Sequence, residues 1–573
     1  QAEDGIRDVE RSRGLGDVYK RQPKISGYVC RKSCPVNRSG KECITISEED
    51  AKPFIDEELC IGCGICVKKC PTEAIAVVNL PEKLEEAPVH RYGRNMFSLY
   101  RLPITKRNAV VGLVGPNGVG KSTVLNILSG NLKPNTGLPS KEAKWERIIE
   151  RFKGTELQDY LMKLSRGEVK IAYKPQHVDL IPRMYKGRVR EHLERIGKER
   201  VGDVLKSLDA SEILDKEVGS LSGGELQLFA IAGTMLKEAD FYFFDEPSSY
   251  LDVYERLVVA REIRKLAFNA VVMVVEHDLA VADYLADVVH ILYGKPKVFG
   301  IVSQPYGVRV GINTYLEGYI REENMRFRTE PIVFGMKPKV TEKSGVFLEF
   351  PGYRKKYDRF VLETSPGDIR KGEVIGILGP NAIGKTTFIR MLVGEETPDS
   401  GEPVGGFELS YKPQRLVLKD DEEGMFVKEY IKRKTGKDVF KTEDKRVMKT
   451  LGVERLLERK ISRLSGGELQ AVFIISSLLR PHDILVMDEP SAFLDVEQRL
   501  RLAKMVRMES ENREKPVFVV DHDLQFIDVI SDRIMVFEGR KGVEGRGSRP
   551  LELEEGMNRF LRNVGITFRK DPQ

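Results

Sequence analysis

Beyond Cys70 the chain has no cysteine, although it runs on to residue 573. All seven cysteines lie between residues 30 and 70. That distribution excludes a disulfide framework spread through a secreted fold and points to a compact metal site in a reducing, cytoplasmic compartment. Long hydrophobic runs are also missing. The longest, such as NAVVMVVE and the FYFFD before Glu246, are strand-sized and far short of the ~18 residues a membrane span needs. No membrane half of a transporter is fused here, and no membrane partner is expected. An excess of either charge is lacking too: 93 Lys and Arg oppose 87 Asp and Glu, and the net +6 permits a nucleic-acid partner without establishing one. The first 22 residues, QAEDGIRDVERSRGLGDVYKRQ, have neither an apolar core nor a periodicity. They read as non-native, adapter-derived sequence and are set aside from the fold.

A chain of 573 residues suggests three to five units, and an internal repeat defines two of them. A glycine-rich loop, a glutamine, LSGGE, an apolar strand ending in Asp-Glu and a histidine follow one another twice. Lys121 and Lys385 are 264 residues apart, and Glu246 and Glu489 are 243 apart. In the first copy GPNGVGKST follows the strand-like AVVGLV, and in the second GPNAIGKTT follows VIGIL. This strand–loop–helix setting lets backbone donors wrap phosphates. Asn117, Gly118, Gly120, Lys121, Ser122 and Thr123, with Asn381, Gly384, Lys385, Thr386 and Thr387, are the candidate nucleotide contacts. Ser122 and Thr386 are also candidate magnesium ligands. Gly118 corresponds to Ala382, which predicts a stiffer second loop.

The apolar strands FYFFDE and ILVMDE place Asp245 and Asp488 to hold magnesium, and Glu246 and Glu489 to polarise the attacking water. His277 and His522 end the next strands, where an imidazole reaches the terminal phosphate; a packed core histidine is the plain alternative. Gln176 and Gln414, each in YKPQ, read as sensors of magnesium and water, or as surface amides. LSGGELQ presents Ser222, Gly223 and Gly224, and then Ser465, Gly466 and Gly467, at a helix amino end. The first set is expected to face the Lys385 nucleotide, and the second set the Lys121 nucleotide.

CIGCGICVKKCP spaces Cys60, Cys63, Cys66 and Cys70 as C-x2-C-x2-C-x3-C-P, which loads three thiolates onto one [4Fe-4S] cluster and sends the fourth to another. Cys34, followed by Pro35, is the expected remote ligand of the Cys60, Cys63 and Cys66 set. Cys30 and Cys70 then belong to a second cluster that lacks two thiolates. Cys43 reads as structural. Such clusters serve electron transfer as well as structure, so an iron–sulfur redox ATPase is a rival reading.

The paired motifs resemble the ATP-binding cassette family. Between Lys121 and Gln176 lie some 26 more residues than between Lys385 and Gln414, including AKWERIIERFKG and TELQDYLMKL, two amphipathic helix patterns split by Gly154. A solvated structural hairpin is the plain reading. Taken with the cysteine domain, HRYGRNMFSLYRLP, DEPSSYLD, DEPSAFLD, YLEGYIREENMRFR and GMNRFLRNVGITFRKDP, the chain from residue 25 onward is identified as a member of the ABCE1/Rli1 family of archaeal and eukaryotic ribosome-recycling ATPases.

That resemblance implies a multidomain fold, a ferredoxin-like α+β iron–sulfur domain followed by two α/β P-loop cassettes. The expected boundaries are 23–80, then 81–292 with a helix-loop-helix at 143–166, a hinge at 293–340, the second cassette at 341–539 and a terminal hinge segment at 540–573. It implies packing of Tyr92 and Phe97 near the first nucleotide's base, two ATP/ADP sites with Mg2+, and two [4Fe-4S] clusters in the native protein. The implied partners are the ribosome, above all its small subunit and rRNA, an archaeal release factor or its surveillance relative, and archaeal initiation factors. A monomer suffices, because both cassettes lie in one chain. Binding to translation factors or nucleic acid without splitting is the other alternative.

Overall fold

The computed structural model describes residues 27–46, 53–56, 59–61, 63–70, 75, 87–93, 96–138, 143–328, 330–332, 345–402, 405–414, 416–437 and 440–565. The segment 1–22, the linker residues 333–344 and the terminal ITFRKDPQ lie outside them.

An N-terminal ferredoxin-like iron–sulfur domain precedes two P-loop cassettes. In the small domain, strands Ile44–Ile46 and Pro53–Ile55 pair antiparallel beside short helices Val29–Ser33, Pro35–Arg38 and Ile65–Lys69. Among its described residues the buried core is Cys30, Cys34, Cys43 and Ile44, with Val36, Ile55, Leu59, Cys66 and Ile75 packed against it.

Each cassette is built on one strand order. In the first, the central strand Val110–Val114 lies parallel to Val271–Val275 on one side and Val288–Lys295 on the other, with Phe241–Asp245 and Ile171–Lys174 completing that flank. In the second, Val374–Leu378 lies between Val517–Val520 and Arg533–Arg540, flanked by Ile484–Asp488 and Leu409–Lys412. Val110–Val114, Phe241–Asp245 and Val271–Val275 are buried along their whole length, as strands covered on both faces must be. Their carboxyl ends open toward one edge, where parallel sheets carry ligand loops.

The sheets extend past the expected domain edges. Residue 292 falls inside strand Val288–Lys295, and Phe299–Gly307 returns antiparallel to it before joining Ser98–Tyr100. Likewise residue 539 falls inside Arg533–Arg540, whose neighbour is Glu544–Gly547. Helix Val308–Glu317 follows the last of these strands in the first cassette, and Tyr315, Ile320 and Ile332 share a core with Val496 of the second cassette. Arg328 bridges to Glu497 there at 3.8 Å and lies over the Tyr315 ring.

The insertion forms helices Trp145–Arg151 and Glu156–Ser165, turning at Gly154, whose φ of 79° favours glycine. Ile148, Phe152, Leu157, Tyr160 and Leu161 are buried against the first sheet, and the Tyr160 ring lies tilted at 4.3 Å from that of Phe241. Lys144, Arg147, Lys153, Lys163 and Arg166 point to solvent.

Candidate functional site: two composite nucleotide sites

The first loop leaves Val110–Val114 and enters helix Lys121–Leu128 at Gly120, whose φ is 99°. A β-carbon on Gly120 would stand 2.6 Å from the Phe97 ring, so aromatic and loop are in direct contact. Tyr92 lies beside Phe97, with ring centroids 6.3 Å apart, and its hydroxyl is 3.2 Å from Thr123 Oγ1. The second loop has counterparts that sequence reading missed. Phe360 packs on Gly384, with Tyr357 stacked 6.5 Å away, and a YDRF pattern ahead of the loop was the available signal.

Lys121 Nζ donates to Gly115 O at 2.7 Å and Pro116 O at 2.9 Å, and Lys385 Nζ donates to Gly379 O and Pro380 O. Both ammonium groups are buried. Burial draws Lys121 down to about 8, against the opposing pull of Glu246, and lowers Lys385 in the same sense. Thr386 Oγ1 donates to Asp488 Oδ2 at 2.8 Å, and Ser122 holds the matching place beside Asp245 in the first cassette. Thr387 follows in the first turn of helix Lys385–Leu392.

Asp245 and Asp488 end fully buried strands, and in each the Oδ1 atom is buried without a hydrogen-bond partner. A buried carboxylate oxygen left unpaired is costly. The charge and oxygen chemistry of these carboxylates suit a magnesium ion bound with nucleotide. Burial, then the neighbouring Glu246 carboxylate, raises Asp245 to about 6; burial and then the neighbouring Glu489 raise Asp488.

Glu246 and Glu489 sit at φ of 49° and 48°, a left-handed conformation uncommon for a long side chain. Gln176 Nε2 donates to Glu246 Oε1 at 2.6 Å, and Gln414 Nε2 to Glu489 Oε1 at 2.7 Å. His277 Nε2 and His522 Nε2 lie 3.2 and 3.3 Å from the same carboxylate atoms, out of hydrogen-bond alignment. Burial alone would raise the Glu246 carboxyl, but His277, Lys121 and Lys174 together outweigh it and hold it at about 2.

Lys174 and Lys412, next to the YKPQ glutamines, were not anticipated as site residues. Each is fully buried and donates to the backbone carbonyls of the Asp-Glu pair, Lys174 at 2.8 and 3.1 Å and Lys412 at 2.8 and 3.1 Å. A lysine on the buried face of a strand was the signal. Gln227 and Gln470, at the end of each LSGGELQ, donate to the carbonyls of Glu246 and Glu489 and so tie each signature helix to its own carboxylate turn.

Ser222 and Ser465 cap the helices Gly223–Leu236 and Gly466–Leu479 in reciprocal boxes with Glu225 and Glu468. Gly223, Gly224, Gly466 and Gly467 therefore open helix amino ends. A β-carbon on Gly224 would stand 3.7 Å from Asn381 Nδ2 of the other cassette. The aspartates of SYLD and AFLD cross the junction as well. Asn381 N donates to Asp252 Oδ2 at 2.9 Å and Asn117 N to Asp495 Oδ2 at 3.1 Å, while Tyr250 and Phe493 meet edge to face at 5.4 Å. Each phosphate loop thus faces the signature side of the opposite cassette, in a head-to-tail clamp.

In the small domain Cys34, Cys43, Cys60, Cys63 and Cys66 line one cavity, while Cys30 and Cys70 are close enough to influence each other. Cys43 is only 1% exposed, with Cys34 and Cys60 as neighbours, and burial pushes its thiol up to about 12. Among the described residues no three ligand-type side chains converge tightly enough for a single ion. A cubane asks for a wider set, because each thiolate meets a different iron, and the cavity's donors are of the right soft type. No helix among the described residues is long and apolar enough to cross a membrane.

Comparison with known proteins agrees with this architecture. The family described as "ABC transporter" matches residues 104–249 and 362–492, and the "4Fe-4S binding domain" matches 53–76. An uncharacterized ABC transporter ATP-binding protein of Methanocaldococcus jannaschii is 49% identical, over 97% of this chain and 92% of its own length. Translation initiation factor RLI1 of Saccharomyces cerevisiae is 42% identical, over 96% and 92%. Among solved structures, a model of ribosome-bound archaeal Pelota and ABCE1 matches with a TM-score of 0.91 at 50% identity, over 96% of this chain and 93% of that one. The archaeal ribosome recycling factor aABCE1 in complex with the ribosomal stalk protein aP1 matches at 0.78 and 49% identity, over 86% and 95%. The chain belongs to the ABCE1/RLI1 family of iron–sulfur, twin-cassette ABC-type ATPases.

Proposed function

We propose that this protein is an ATP-driven ribosome-recycling factor of the cytoplasm, which separates large and small subunits after termination or rescue by closing its two cassettes. The observation that carries this reading is the reciprocal contact of Asn117 with Asp495 and of Asn381 with Asp252, which makes closure of one site inseparable from approach of the other. The solved structures named for recycling and for a ribosome-bound complex, each matched over more than nine-tenths of its own chain, support the output assigned to that closure.

In this reading Lys121 and Lys385 neutralise the terminal phosphates, and Tyr92 and Phe97 flank the first base. Ser222, Gly223 and Gly224 close on the Lys385 nucleotide, and Ser465, Gly466 and Gly467 on the Lys121 nucleotide. Ser122 with Asp245 and Thr386 with Asp488 hold magnesium, which when bound neutralises charge developing on the phosphates. Glu246 and Glu489 orient and deprotonate the attacking water. Gln176 and Gln414 hold those carboxylates, and His277 and His522 fix the terminal phosphate. Hydrolysis removes the charge that bridges the cassettes, and the clamp reopens.

Cys34, Cys60, Cys63 and Cys66 form the donor set for one cluster, and Cys30 and Cys70 are half of a second set. A bound cluster cross-links the segments that carry its thiolates. The rigid unit so formed is the part that closure drives between the subunits, toward a release factor or its surveillance relative. The exposed Lys144, Arg147, Lys153, Lys163 and Arg166 of the insertion supply a basic face for rRNA of the small subunit.

Sucrose-gradient profiles of archaeal 70S ribosomes with ATP and release factor test the assignment. Conversion of the 70S peak to subunits is the expected result. Intact ribosomes alongside undiminished ATP turnover would transfer the assignment to ribosome binding without splitting, a reading in keeping with the yeast relative's name, translation initiation factor RLI1.

A further inference from the structure

We infer that Arg256 and Arg499 are positioning residues that carry the state of each nucleotide site to the phosphate loop of the other. The inference rests on the assignment of His277 and His522 to the terminal phosphates and concerns how one cassette senses its partner.

Arg256 stands on helix Val253–Leu266, just after the junction aspartate Asp252, which caps it. Its Nε donates to Leu251 O at 2.9 Å, and its Nη1 donates to Asp278 Oδ2 at 2.7 Å. Asp278 is the residue after His277, and its other carboxylate oxygen caps helix Leu279–Leu285 through Ala280 N and Val281 N. The guanidinium therefore clasps the turn that crosses the junction and the turn that presents the histidine. The path reads His277, Asp278, Arg256, Leu251–Asp252 and then Asn381 N, which donates to Asp252 Oδ2 at 2.9 Å. It starts at one nucleotide site and ends in the loop of the other.

The second cassette repeats the construction. Arg499 Nε donates to Leu494 O at 2.9 Å and its Nη1 to Asp523 Oδ2 at 2.8 Å; Asp523 follows His522 and caps Phe526 N, and Asp495 receives Asn117 N at 3.1 Å. The two ion pairs are largely buried, with side-chain exposures of 14% and 16% in the first and 16% and 11% in the second. His277, Asp278, Arg499 and Asp523 line one cavity between the cassettes, so the two relays meet there.

Only arginine meets both demands. Its planar fork directs Nε and Nη1 to two different acceptors at once, whereas lysine offers one mobile point charge. Movement of His277 on gain or loss of the terminal phosphate displaces Asp278, its chain neighbour. Arg256, bonded on both sides, passes that displacement to Asp252 and so to Asn381.

The test compares turnover at the Lys385 site in two backgrounds of the full chain. In Glu246→Gln the Lys121 site holds nucleotide without hydrolysing it; in Lys121→Ala it does not hold nucleotide. The ratio of the two rates measures how far occupancy of one site governs the other. Arg256→Lys is expected to shrink that ratio toward one by about 3- to 10-fold, within the usual range for residues that mediate coupling. Asp278→Asn, which keeps the helix cap and loses the ion pair, should act alike. An arginine of merely structural importance would slow both backgrounds by a common factor and leave the ratio intact, and that result overturns the relay. A ratio already equal to one in the unaltered arginine chain overturns it too. Parental ATP turnover by a Lys121→Ala, Lys385→Ala chain would instead overturn the site assignment, and with it this inference.

Discussion

At the Lys121 site, Gln176 and His277 approach Glu246 to 2.6 and 3.2 Å; at the Lys385 site, Gln414 and His522 approach Glu489 to 2.7 and 3.3 Å. The rims are not matched in this way. Around the Lys385 loop, Lys541 reaches across to Asp252 at 3.2 Å and Glu255 at 2.9 Å, and Asn381 Nδ2 adds a bond to Glu255 at 3.1 Å. At the other rim Gln498 takes the place of Glu255 in the capping box, Pro296 takes the place of Lys541, and Lys297, at the position of Gly542, reaches Glu468 at 2.7 Å. Duplication has kept the chemistry the same at both sites while allowing the fastenings to diverge. The sites should therefore hydrolyse by one mechanism and part with different ease.

The strongest way to break the comparison is through the carboxylates. Glu246→Gln and Glu489→Gln should each silence their own site by ~100-fold or more, the usual scale for loss of a general base. The double variant should bind ATP, remain closed on the small subunit and show almost no phosphate release in a steady-state assay. Normal turnover by the double variant would remove these residues from the mechanism.

A matched core should also titrate in a matched way. Burial raises Asp245 to about 6 and raises Asp488 in the same direction. The folded chain therefore holds protons on these groups that the unfolded chain has released between the ordinary carboxylate range and about 6. Their burden on the nucleotide-free fold is full above that window and fades as pH falls through it. Magnesium needs the deprotonated form, so its affinity should drop by about 10-fold per pH unit, below about 6 at the Lys121 site and below about 7 at the Lys385 site, as competition with one proton requires. Titrations of Mg-nucleotide binding in the two single-site variants, at pH 7 and pH 5, check this. A fall at one site alone would show that the cores are not equivalent.

The rims allow a subtler test. Lys541→Ala removes two cross-cassette ion pairs from a largely screened position and should speed release of occluded nucleotide at the Lys385 site by about 3- to 10-fold, the span for partly buried charge pairs. Lys297 is 72% exposed, and Lys297→Ala should change release from the Lys121 site by less than about 2-fold, as for a surface pair. Exchanging Glu255→Gln and Gln498→Glu together should transfer the slower release from one site to the other.

Much of this was legible because the chemistry demands particular side chains at particular places. A phosphate loop must follow a strand and open a helix, and the run of Asp after apolar residues marks a carboxylate at a buried strand end; both patterns are local. The unread features come from contacts between distant segments. Nothing near Asp252 announces Asn381 as its partner, and the sheet runs past residue 292 because Phe299–Ile301 pairs with Ser98–Tyr100, two hundred residues earlier in the chain. Lys174 and Lys412 were hidden by charge, since a lysine in a strand reads as surface until the carbonyls of a strained Asp-Glu turn are seen to need donors. Cys43 reads as filler in KECI, yet it lines the same cavity as Cys34, Cys60, Cys63 and Cys66.

The smallest expected effect lies in the loops themselves. Gly118 has a φ of 79° and Ala382, at the matching position, a φ of 56°, so both loops need the left-handed conformation and only the first uses the residue that adopts it freely. A β-carbon on Gly118 would meet Lys297 and Pro296 no closer than 3.5 Å, an ordinary contact, so Gly118→Ala is opposed by backbone conformation and not by space. That conformation costs an L-residue ~1–2 kcal/mol, partly offset by the smaller entropy an alanine loses on folding. Gly118→Ala should lower stability by about 1 kcal/mol or less, and Ala382→Gly should leave it within about 0.5 kcal/mol, because relief of strain and gain of unfolded-state freedom nearly cancel. Denaturant midpoints of the two variants decide it. If Gly118→Ala were strongly destabilising, by more than about 3 kcal/mol, the loops would differ in shape and not merely in stiffness, and the equivalence of the two catalytic cores would fail at its first residue.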